Sequence, residues 1–225
     1  MIRLPHATFA ALIFLSSAIP ISSVLSADGD MKIVEKWLGS NSGIRSIKVN
    51  FSQTRTMKTL KVPVSSSGTL WVDYGSGKFR WQTGNPPKTL VTGKGSDIVI
   101  VRPPAKKYER RRGGSGSSSG MAAMPKNFPR SVAEFKRKYR LLSVDTKSSS
   151  YEIKAQPLGS AGRGVNSFTF KVEKDKHRLL GMSISMKDGS WINTRFTNVQ
   201  PNAPTPSSLF TPDLKGYKET SFSKE

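Results

Sequence analysis

The stretch of sequence that decides the fold runs from residue 68 to residue 82 and reads Gly-Thr-Leu-Trp-Val-Asp-Tyr-Gly-Ser-Gly-Lys-Phe-Arg-Trp-Gln. Residues 68–74 and residues 78–82 are rich in aromatic and branched side chains, which favour strands. The Gly-Ser-Gly segment between them is typical of a turn. Two strands joined by so short a turn pair antiparallel, so the stretch predicts one hairpin of a meander.

Further elements are predicted on both sides of this hairpin. Residues 47–52 alternate apolar and polar side chains, which indicates a strand with one apolar face. Residues 88–92 and 97–102 are two more strands, joined by a glycine-containing turn at residues 93–95. Ahead of all of them, apolar residues recur at helical steps and predict one helix. Those residues are Met31, Val34, Trp37 and Leu38.

Residues 103–140 differ in composition and are predicted to be a partly flexible, helical insertion in the sheet. The basic run Arg110-Arg111-Arg112 leads into residues 113–120, a Gly/Ser-rich segment typical of flexible chain. Residues 121–124 and 131–135 favour short helices, and Ser131 with Glu134 fits a capping box. Five strands are expected after the insertion, with Asp188-Gly189 as a tight primed turn between the last two. Their expected ranges are 140–145, 151–156, 167–173, 179–186 and 191–199.

The first 27 residues are expected to be a cleavable signal peptide. They combine a basic start at Arg3, an apolar run over residues 7–18 and a small residue, Ala27, at the end. The apolar run is shorter than the ~20 residues that a membrane-spanning helix needs. Cleavage after Ala27 leaves residues 28–225 as a single exported domain, whose expected compartment is the periplasm.

Composition narrows the function. Thirty-six Lys and Arg residues face fifteen Asp and Glu residues, a formal charge of +21 that suits nucleic acid, an anionic membrane surface or an acidic partner. The chain has no cysteine, which excludes disulfides, thiolate metal sites and a cysteine nucleophile. The two histidines include His177, in a polar turn, and the scattered acids form no acid–base pair. We therefore expect no enzymatic activity, catalytic residue, metal site or other cofactor, and export makes nucleic acid a poor candidate.

Several short motifs follow one another in a fixed order. Residues 49–53 hold a Phe-x-Gln element, residues 68–72 a Gly-x-Leu-Trp-Val strand and residues 79–81 a Phe-Arg-Trp element, followed by Leu90-Val91. Arg195-Phe196-Thr197-Asn198-Val199 precedes Leu209-Phe210-Thr211-Pro212 near the end. Together, behind a signal peptide, these motifs resemble the outer-membrane lipoprotein carrier (LolA-like) family over about residues 31–212.

The resemblance implies an α+β fold, an incomplete, half-open antiparallel β-barrel with helices covering its concave face. It implies a monomeric periplasmic carrier that binds the acyl chains of lipoproteins in a hydrophobic cavity. Such a carrier moves its cargo from an inner-membrane release complex to an outer-membrane receptor. The missing N-terminal cysteine favours the soluble carrier over the family's lipid-anchored receptor.

Three groups of residues are expected to serve this function. The cavity wall is expected to comprise Val49, Phe51, Leu70, Val72, Phe79, Trp81, Leu90, Ile98, Ile100, Phe168, Phe170, Met182, Ile184 and Phe196. The lid is expected to comprise Met121, Met124, Phe128, Val132 and Phe135. A basic rim is expected at Arg110, Arg111 and Arg112, which would dock on anionic head groups or acidic partner surfaces.

One part of the family's pattern is missing, and two other functions stay open. Family members carry an Arg-Pro pair between the second and third strands, whose arginine bonds to the lid; here residues 74–78 stand in that place, and Lys78 and Arg80 are the substitutes. The first alternative function is a lipid- or stress-sensing binding module on the same fold. The second is a basic protein that binds anionic surfaces, with the sheet as a scaffold.

Overall fold

The structure, a computed structural model, describes residues 26–95, 97–112, 128–159 and 164–221. Within these ranges the chain forms two α-helices and twelve strands. The helices are α1 (Ser26–Ser40) and α2 (Val132–Lys138). The strands are β1 (Ser46–Thr56), β2 (Val64–Asp73), β3 (Lys78–Thr83), β4 (Thr89–Lys94), β5 (Asp97–Arg102), β6 (Lys107–Arg111), β7 (Tyr139–Thr146), β8 (Ser150–Pro157), β9 (Val165–Glu173), β10 (Leu179–Met186), β11 (Trp191–Pro201) and β12 (Lys218–Glu219).

The twelve strands form one sheet that does not close on itself. Their order is β12-β6-β5-β4-β3-β2-β1-β11-β10-β9-β8-β7, which leaves β12 and β7 as the edges. All neighbours pair antiparallel except the two-residue β12, which runs parallel to β6. Strand β1 pairs with both β2 and β11, so the first and second halves of the chain join there. This arrangement confirms the expected half-open antiparallel barrel.

One glycine shows how closely the sheet is packed. Gly68 lies opposite Phe51 across the β1–β2 ladder. A Cβ atom at Gly68 would overlap the carbonyl oxygen of Gln82 and lie 2.9 Å from Cζ of Phe51. Without that atom, the Phe51 ring stacks on the fully buried Trp81 with 3.8 Å between ring centroids. The glycine that opens the fold-deciding stretch is therefore required by packing.

Helix α1 packs its apolar side against the sheet, as its periodicity predicts. Val34, Trp37 and Leu38 are all buried, and the Trp37 ring lies 5.2 Å from that of Phe170. The helix begins at Ser26, five residues before Met31, the first residue of its apolar period. A carboxylate oxygen of Asp30 accepts a hydrogen bond from the Val144 backbone N–H at 3.2 Å, which ties the helix to β7.

The described part of residues 103–140 corrects the expectation of a helical insertion. A 3-10 turn at Pro103–Ala105 leads into β6, a true strand paired with β5. Its sequence, Lys-Tyr-Glu-Arg-Arg, has no apolar alternation, because the buried position is occupied by Glu109. Arg111 neutralises this carboxylate, with 2.6 Å between Oε1 of Glu109 and Nε of Arg111. The N-cap half of the predicted capping box of α2 is confirmed, since the Ser131 hydroxyl accepts a hydrogen bond from the Glu134 N–H. The return bond differs, because the Glu134 carboxylate accepts from the Arg130 N–H, one residue before the cap.

Two turns near the C-terminus also differ from expectation. The hairpin at Asp188-Gly189 is present, but only Gly189 has a positive φ, +83°. The Gly189 N–H donates to the Met186 carbonyl oxygen, so the two central residues of the turn are Lys187 and Asp188, and neither has the positive φ that a primed turn needs. This turn is instead a type I turn followed by a left-handed glycine. Ser207–Phe210, expected to lie in a closing strand, forms a 3-10 turn, and a guanidinium nitrogen of Arg80 donates to the Leu209 carbonyl oxygen at 3.1 Å.

Candidate functional site

The concave face of the sheet is formed by every second side chain along each strand. Leu70 lies across from Trp81, and Trp81 lies across from Val91, so these three residues share one face. The side chains on this face join those of α1 and α2 in one apolar cluster. The expected wall residues found in this cluster are Val49, Phe51, Leu70, Val72, Phe79, Trp81, Ile98, Ile100, Phe168, Phe170, Met182, Ile184 and Phe196.

Leu90 is the expected wall residue that lies elsewhere. It pairs with Gln82 on one side and Val101 on the other, which places it on the outer face, while its neighbour Val91 joins the inner cluster. Both residues are apolar and buried, so neither hydropathy nor burial tells the two faces apart. Alternation could not distinguish the two, and we correct the assignment to Val91.

The lid residues that the structure describes pack on the same cluster. Phe135 is fully buried and lies 5.5 Å from the Tyr139 ring, while Val132 is half-buried beside it. The Phe128 ring meets the Phe196 ring edge-on at 6.0 Å. The remaining two expected lid residues, Met121 and Met124, lie outside the described residues. The segment that leads into α2 therefore covers the concave face, together with α1.

A cavity of about 110 Å³ remains between the helices and the sheet. It lies at the end of the sheet where β2 and β11 finish and β1 begins. Five expected residues line it, namely Val49, Leu70, Val72, Phe196 and Phe128. The residues that the sequence did not single out are Trp37, Leu38, Asn41, Ile44, Ile47, Tyr74, Pro129, Arg130, Arg178, Leu179, Val199 and Pro201.

The cavity is smaller than a complete ligand site. Pockets that enclose small-molecule ligands usually measure about 300–1,000 Å³. The rest of the concave face is filled by Trp37 and Phe135, which are almost completely buried. A long apolar ligand would therefore have to displace these helices. We call α1, α2 and the preceding residues 128–131 the cover, and the 110 Å³ cavity lies where the cover leaves the sheet unfilled.

Arg130 fastens the segment before α2 to the sheet. Its guanidinium lies 4.2 Å from the centroid of the Tyr74 ring and donates a hydrogen bond to the Ile44 carbonyl oxygen at 3.0 Å. Its backbone N–H donates to a Glu134 carboxylate oxygen at 2.8 Å, so the capping box fixes its position. Burial raises the pKa of the Tyr74 hydroxyl, with the charge of Arg130 opposing the rise, and the tyrosine stays neutral.

A second set of polar contacts holds the end of α1 at the same cavity. The Asn41 side-chain amide donates to the Trp37 carbonyl oxygen at 2.6 Å and to that of His177 at 3.0 Å. Arg178, which lines the cavity, is paired with Glu173 at 2.8 Å. This pairing lowers the pKa of the Glu173 carboxyl, so both groups stay charged at neutral pH. His177 thus contributes its backbone to the site, in keeping with the expectation that it lies in a turn.

The expected latch substitutes, Lys78 and Arg80, lie away from the lid. Each alternates with an inward-facing residue of β3, so both lie on the outer face. Arg80 donates to Leu209, as described above, and to the Gln82 side chain at 2.7 Å, while Lys78 lines a cleft beneath the C-terminal segment. Among the described residues, Arg130 makes the contact between the segment before α2 and the sheet. The only sequence signal for it is its place next to the capping box.

The expected basic rim lines the same outer cleft, and not the cavity. Arg110, Arg111 and Arg112 surround a space of about 360 Å³ together with Lys94 and Phe210. Arg110 lies 3.4 Å from a Glu219 carboxylate oxygen, in an exposed ion pair, whereas Arg111 neutralises buried Glu109. The three arginines are therefore not equivalent, because Arg111 is needed for β6 itself.

The described side chains of the site are mostly apolar. In the described ranges, no three His, Cys, Asp or Glu side chains cluster as metal ligands. Burial raises the pKa of the Tyr139 hydroxyl far above its ordinary value, so this core tyrosine stays neutral. None of the helices in the described part of the chain has the length and apolar character required to span a membrane.

Comparison with known proteins agrees with this geometry. The family model described as "Outer membrane lipoprotein carrier protein LolA" matches residues 42–213, about three quarters of the chain. The chain belongs to the LolA family. An outer-membrane lipoprotein carrier protein of Dechloromonas aromatica is 24% identical over 173 residues, which cover 74% of this chain and 76% of that protein.

Solved structures share the fold at low sequence identity. An uncharacterized conserved protein of Thermus thermophilus is 8% identical with a TM-score of 0.51, covering 86% of this chain and 99% of that one. A DUF1329 family protein of Desulfovibrio piger is 11% identical with a TM-score of 0.50, covering 83% of this chain and 97% of that one. The LolA family is a family of carriers.

Proposed function

We propose that residues 28–225 form a monomeric periplasmic carrier that binds the acyl chains of lipoproteins on the concave face of its sheet. The carrier takes its cargo from a release complex in the inner membrane and delivers it to a receptor in the outer membrane. Residues 1–27 direct its export. Family membership supports this assignment, and the LolA-family relative in Dechloromonas aromatica is named as such a carrier.

The observation that carries the proposal is the incomplete cover of the concave face. The face is lined almost entirely by apolar side chains from ten strands, β1–β5 and β7–β11, and the helices leave about 110 Å³ open at one end. An acyl chain needs such a surface, since each CH₂ group removed from water contributes about 0.8 kcal/mol. The aromatic and Met side chains adapt to flexible chains through non-directional contacts.

Release of an acyl chain requires that the helices can pack on the concave face again. In the described structure Trp37 and Phe135 occupy the space that an acyl chain would take. Cargo binding therefore exchanges helix–sheet contacts for acyl–sheet contacts, which makes the net affinity smaller than the buried area suggests. Arg130 and Asn41 each hold the helices against the sheet through single hydrogen bonds at the border of the cavity. A few such bonds stabilise the covered form only modestly, so the helices can move aside.

The rim residues are proposed to recognise an acidic partner. The outer cleft is lined by Lys78, Lys94, three arginines and Asp97, with Glu219 and Glu109 paired to two of the arginines, which leaves an excess of positive charge. Such a concentration of positive charge steers association with an acidic protein surface. It lies on the outer face, so docking there would leave the concave face free for cargo.

The binding claim is tested with a fluorescent fatty-acyl probe and one charge introduced at two positions of β11. Val199 lines the cavity, whereas Thr197 on the same strand is exposed. Val199→Glu should weaken probe binding by at least about tenfold, because it places a charge against the acyl chain. Thr197→Glu, the matched control, should leave the affinity within about twofold, since its side chain already faces water.

Circular dichroism melting would show that both variants are folded. If the unmodified protein does not bind the probe, or if Val199→Glu binds it as tightly as Thr197→Glu, the cavity is not the acyl site. Movement of a bound acyl chain from donor to acceptor vesicles separates a carrier from a binding module that retains its ligand.

A further inference from the structure

The loop between β1 and β2 exposes an unusual amount of apolar surface. Residues 57–64 read Met-Lys-Thr-Leu-Lys-Val-Pro-Val, and every residue of this segment is exposed. Val62 exposes 71% of its surface, and Met57, Leu60 and Val64 expose between 36% and 47%. Isolated exposed apolar residues need no explanation, but four in one loop mark an interaction surface.

A neighbouring tryptophan extends this surface. Trp191 begins β11, pairs with Thr56 at the base of the loop and is 50% exposed. The loop also contacts the β10–β11 turn, where the Lys58 N–H donates to the Ser190 hydroxyl at 3.4 Å. We call residues 57–64 together with Trp191 the exposed tip. Five of the seven large apolar residues that are exposed in the described structure belong to it.

The charges beside the exposed tip have one predominant sign. Lys58 and Lys61 alternate with its apolar residues, and Lys187 lies in the adjoining turn. Asp188 is the acidic residue of that turn, and its carboxylate accepts a hydrogen bond from the Ser190 N–H at 2.8 Å. Apolar side chains interleaved with lysines, with a tryptophan at their border, are the composition that settles at the surface of an anionic bilayer.

We propose that the exposed tip inserts its apolar side chains into the headgroup region of an anionic phospholipid bilayer. Lys58, Lys61 and Lys187 contact the phosphate groups, and Trp191 lies at the boundary between headgroups and acyl chains. Insertion is shallow and reversible, because a few side chains bury far less apolar surface than a membrane-spanning helix. The lysines beside the tip favour an anionic bilayer over an uncharged one, because their charge is opposite to that of the anionic headgroups.

Docking by the tip fits the position of the cavity. The tip lies where β2 begins, while Tyr74 and the cavity lie where β2 ends. Ten residues of strand separate the two ends by about 30 Å. The cavity therefore stays open to a partner that delivers or accepts cargo while the tip rests on the membrane. The proposed membrane docking rests on the proposed carrier function and adds the surface by which the carrier binds a membrane.

The test uses flotation with vesicles of phosphatidylcholine, with and without phosphatidylglycerol, and the emission of Trp191. Trp191 reports on the tip, because Trp37 and Trp81 are buried and Trp71 is only partly exposed. The unmodified protein should bind the anionic vesicles with a shift of its emission to shorter wavelength. Leu60→Asp with Val62→Asp should weaken binding by at least about tenfold. Leu142→Asp, on exposed edge strand β7, is the matched control and should change binding by less than about twofold.

A charge-reversing pair tests the lipid specificity. Lys58→Glu with Lys61→Glu should lower the affinity for anionic vesicles by roughly 25-fold or more, since each lysine contributes about fivefold near such a surface. Equal weakening by Leu142→Asp, or no binding by the unmodified protein, would overturn the proposal. So would a dimer in sedimentation velocity that the tip variant abolishes, because the tip would then bind a second copy.

Failure of this inference and failure of the carrier function give different results. Val199→Glu should lose acyl-probe binding and keep vesicle flotation, whereas the tip variants should lose flotation and keep probe binding without vesicles. A protein that binds the probe but not the vesicles retains the carrier function alone.

Discussion

Arg130 is the side chain that most clearly joins the cover to the sheet. It combines a stacking contact with Tyr74 and a hydrogen bond to the Ile44 carbonyl oxygen, at the border of the cavity. The family resemblance predicts a latch on the sheet, at Lys78 or Arg80. In this chain the contact is reversed, with the arginine on the cover and an aromatic ring on the sheet.

Arg130→Ala should favour the open state by about 2–4 kcal/mol, the combined magnitude of an exposed cation–π contact and a hydrogen bond from a charged donor. Amide hydrogen exchange in α2 should become faster, and the acyl probe should associate faster, while the global melting temperature changes little. Arg137→Ala, which removes a charge from the exposed side of α2, is the control.

A double-mutant cycle with Tyr74→Leu separates this contact from general destabilisation. The two substitutions should be less than additive, since each removes the same ring–guanidinium contact. Unchanged exchange and probe kinetics in Arg130→Ala, or strict additivity of the pair, would show that Arg130 does not hold the cover.

The strands show where sequence patterns succeed and where they do not. The alternation of residues 47–52 and 167–173 predicts β1 and β9, because one face of each strand is buried and the other faces solvent. Strand β6 was missed because its one buried inward residue is Glu109, satisfied by Arg111 two positions later. A polar ladder of this kind has no apolar period to detect. The two-residue β12 was too short to leave any pattern.

The difference among the rim arginines of β6 leads to a prediction about transfer. Arg110→Glu with Arg112→Glu should weaken cargo transfer to an acidic partner severalfold and leave acyl-probe affinity unchanged, because the outer cleft is separate from the cavity. Arg111 is left intact, since a second carboxylate beside buried Glu109 would destabilise the strand. Transfer rates at several salt concentrations provide the measurement.

Lys147→Glu with Lys154→Glu is the control for net charge, because both lysines are exposed near the opposite edge of the sheet from β6. If the control slows transfer as much as the rim variant does, overall charge and not the cleft is responsible. If the rim variant loses probe binding as well, the cleft and the cavity are not independent.

Viewed as a whole, the molecule is an open apolar sheet with its own cover. The antiparallel pairing of consecutive strands follows from alternation and turns, but the pairing of β1 with β11 and the choice of the face that lines the cavity do not. Leu90 is misassigned because Val91 beside it is equally apolar. The position of the cavity could not be predicted, since it depends on where α1 and the segment before α2 fail to meet. Its border residues, such as Asn41 and Pro201, carry no periodic signal.

The central claim is that acyl chains bind between the helices and the concave face. The most direct measurement is photocrosslinking with a palmitoyl probe that carries a diazirine near its chain end, followed by mass spectrometry at residue level. We predict labels on Val49, Leu70 and Phe196, and none on Leu90 or Val101, which face outward on the same sheet. Labels on the outer face, or a protein that is not labelled at all, would contradict the account.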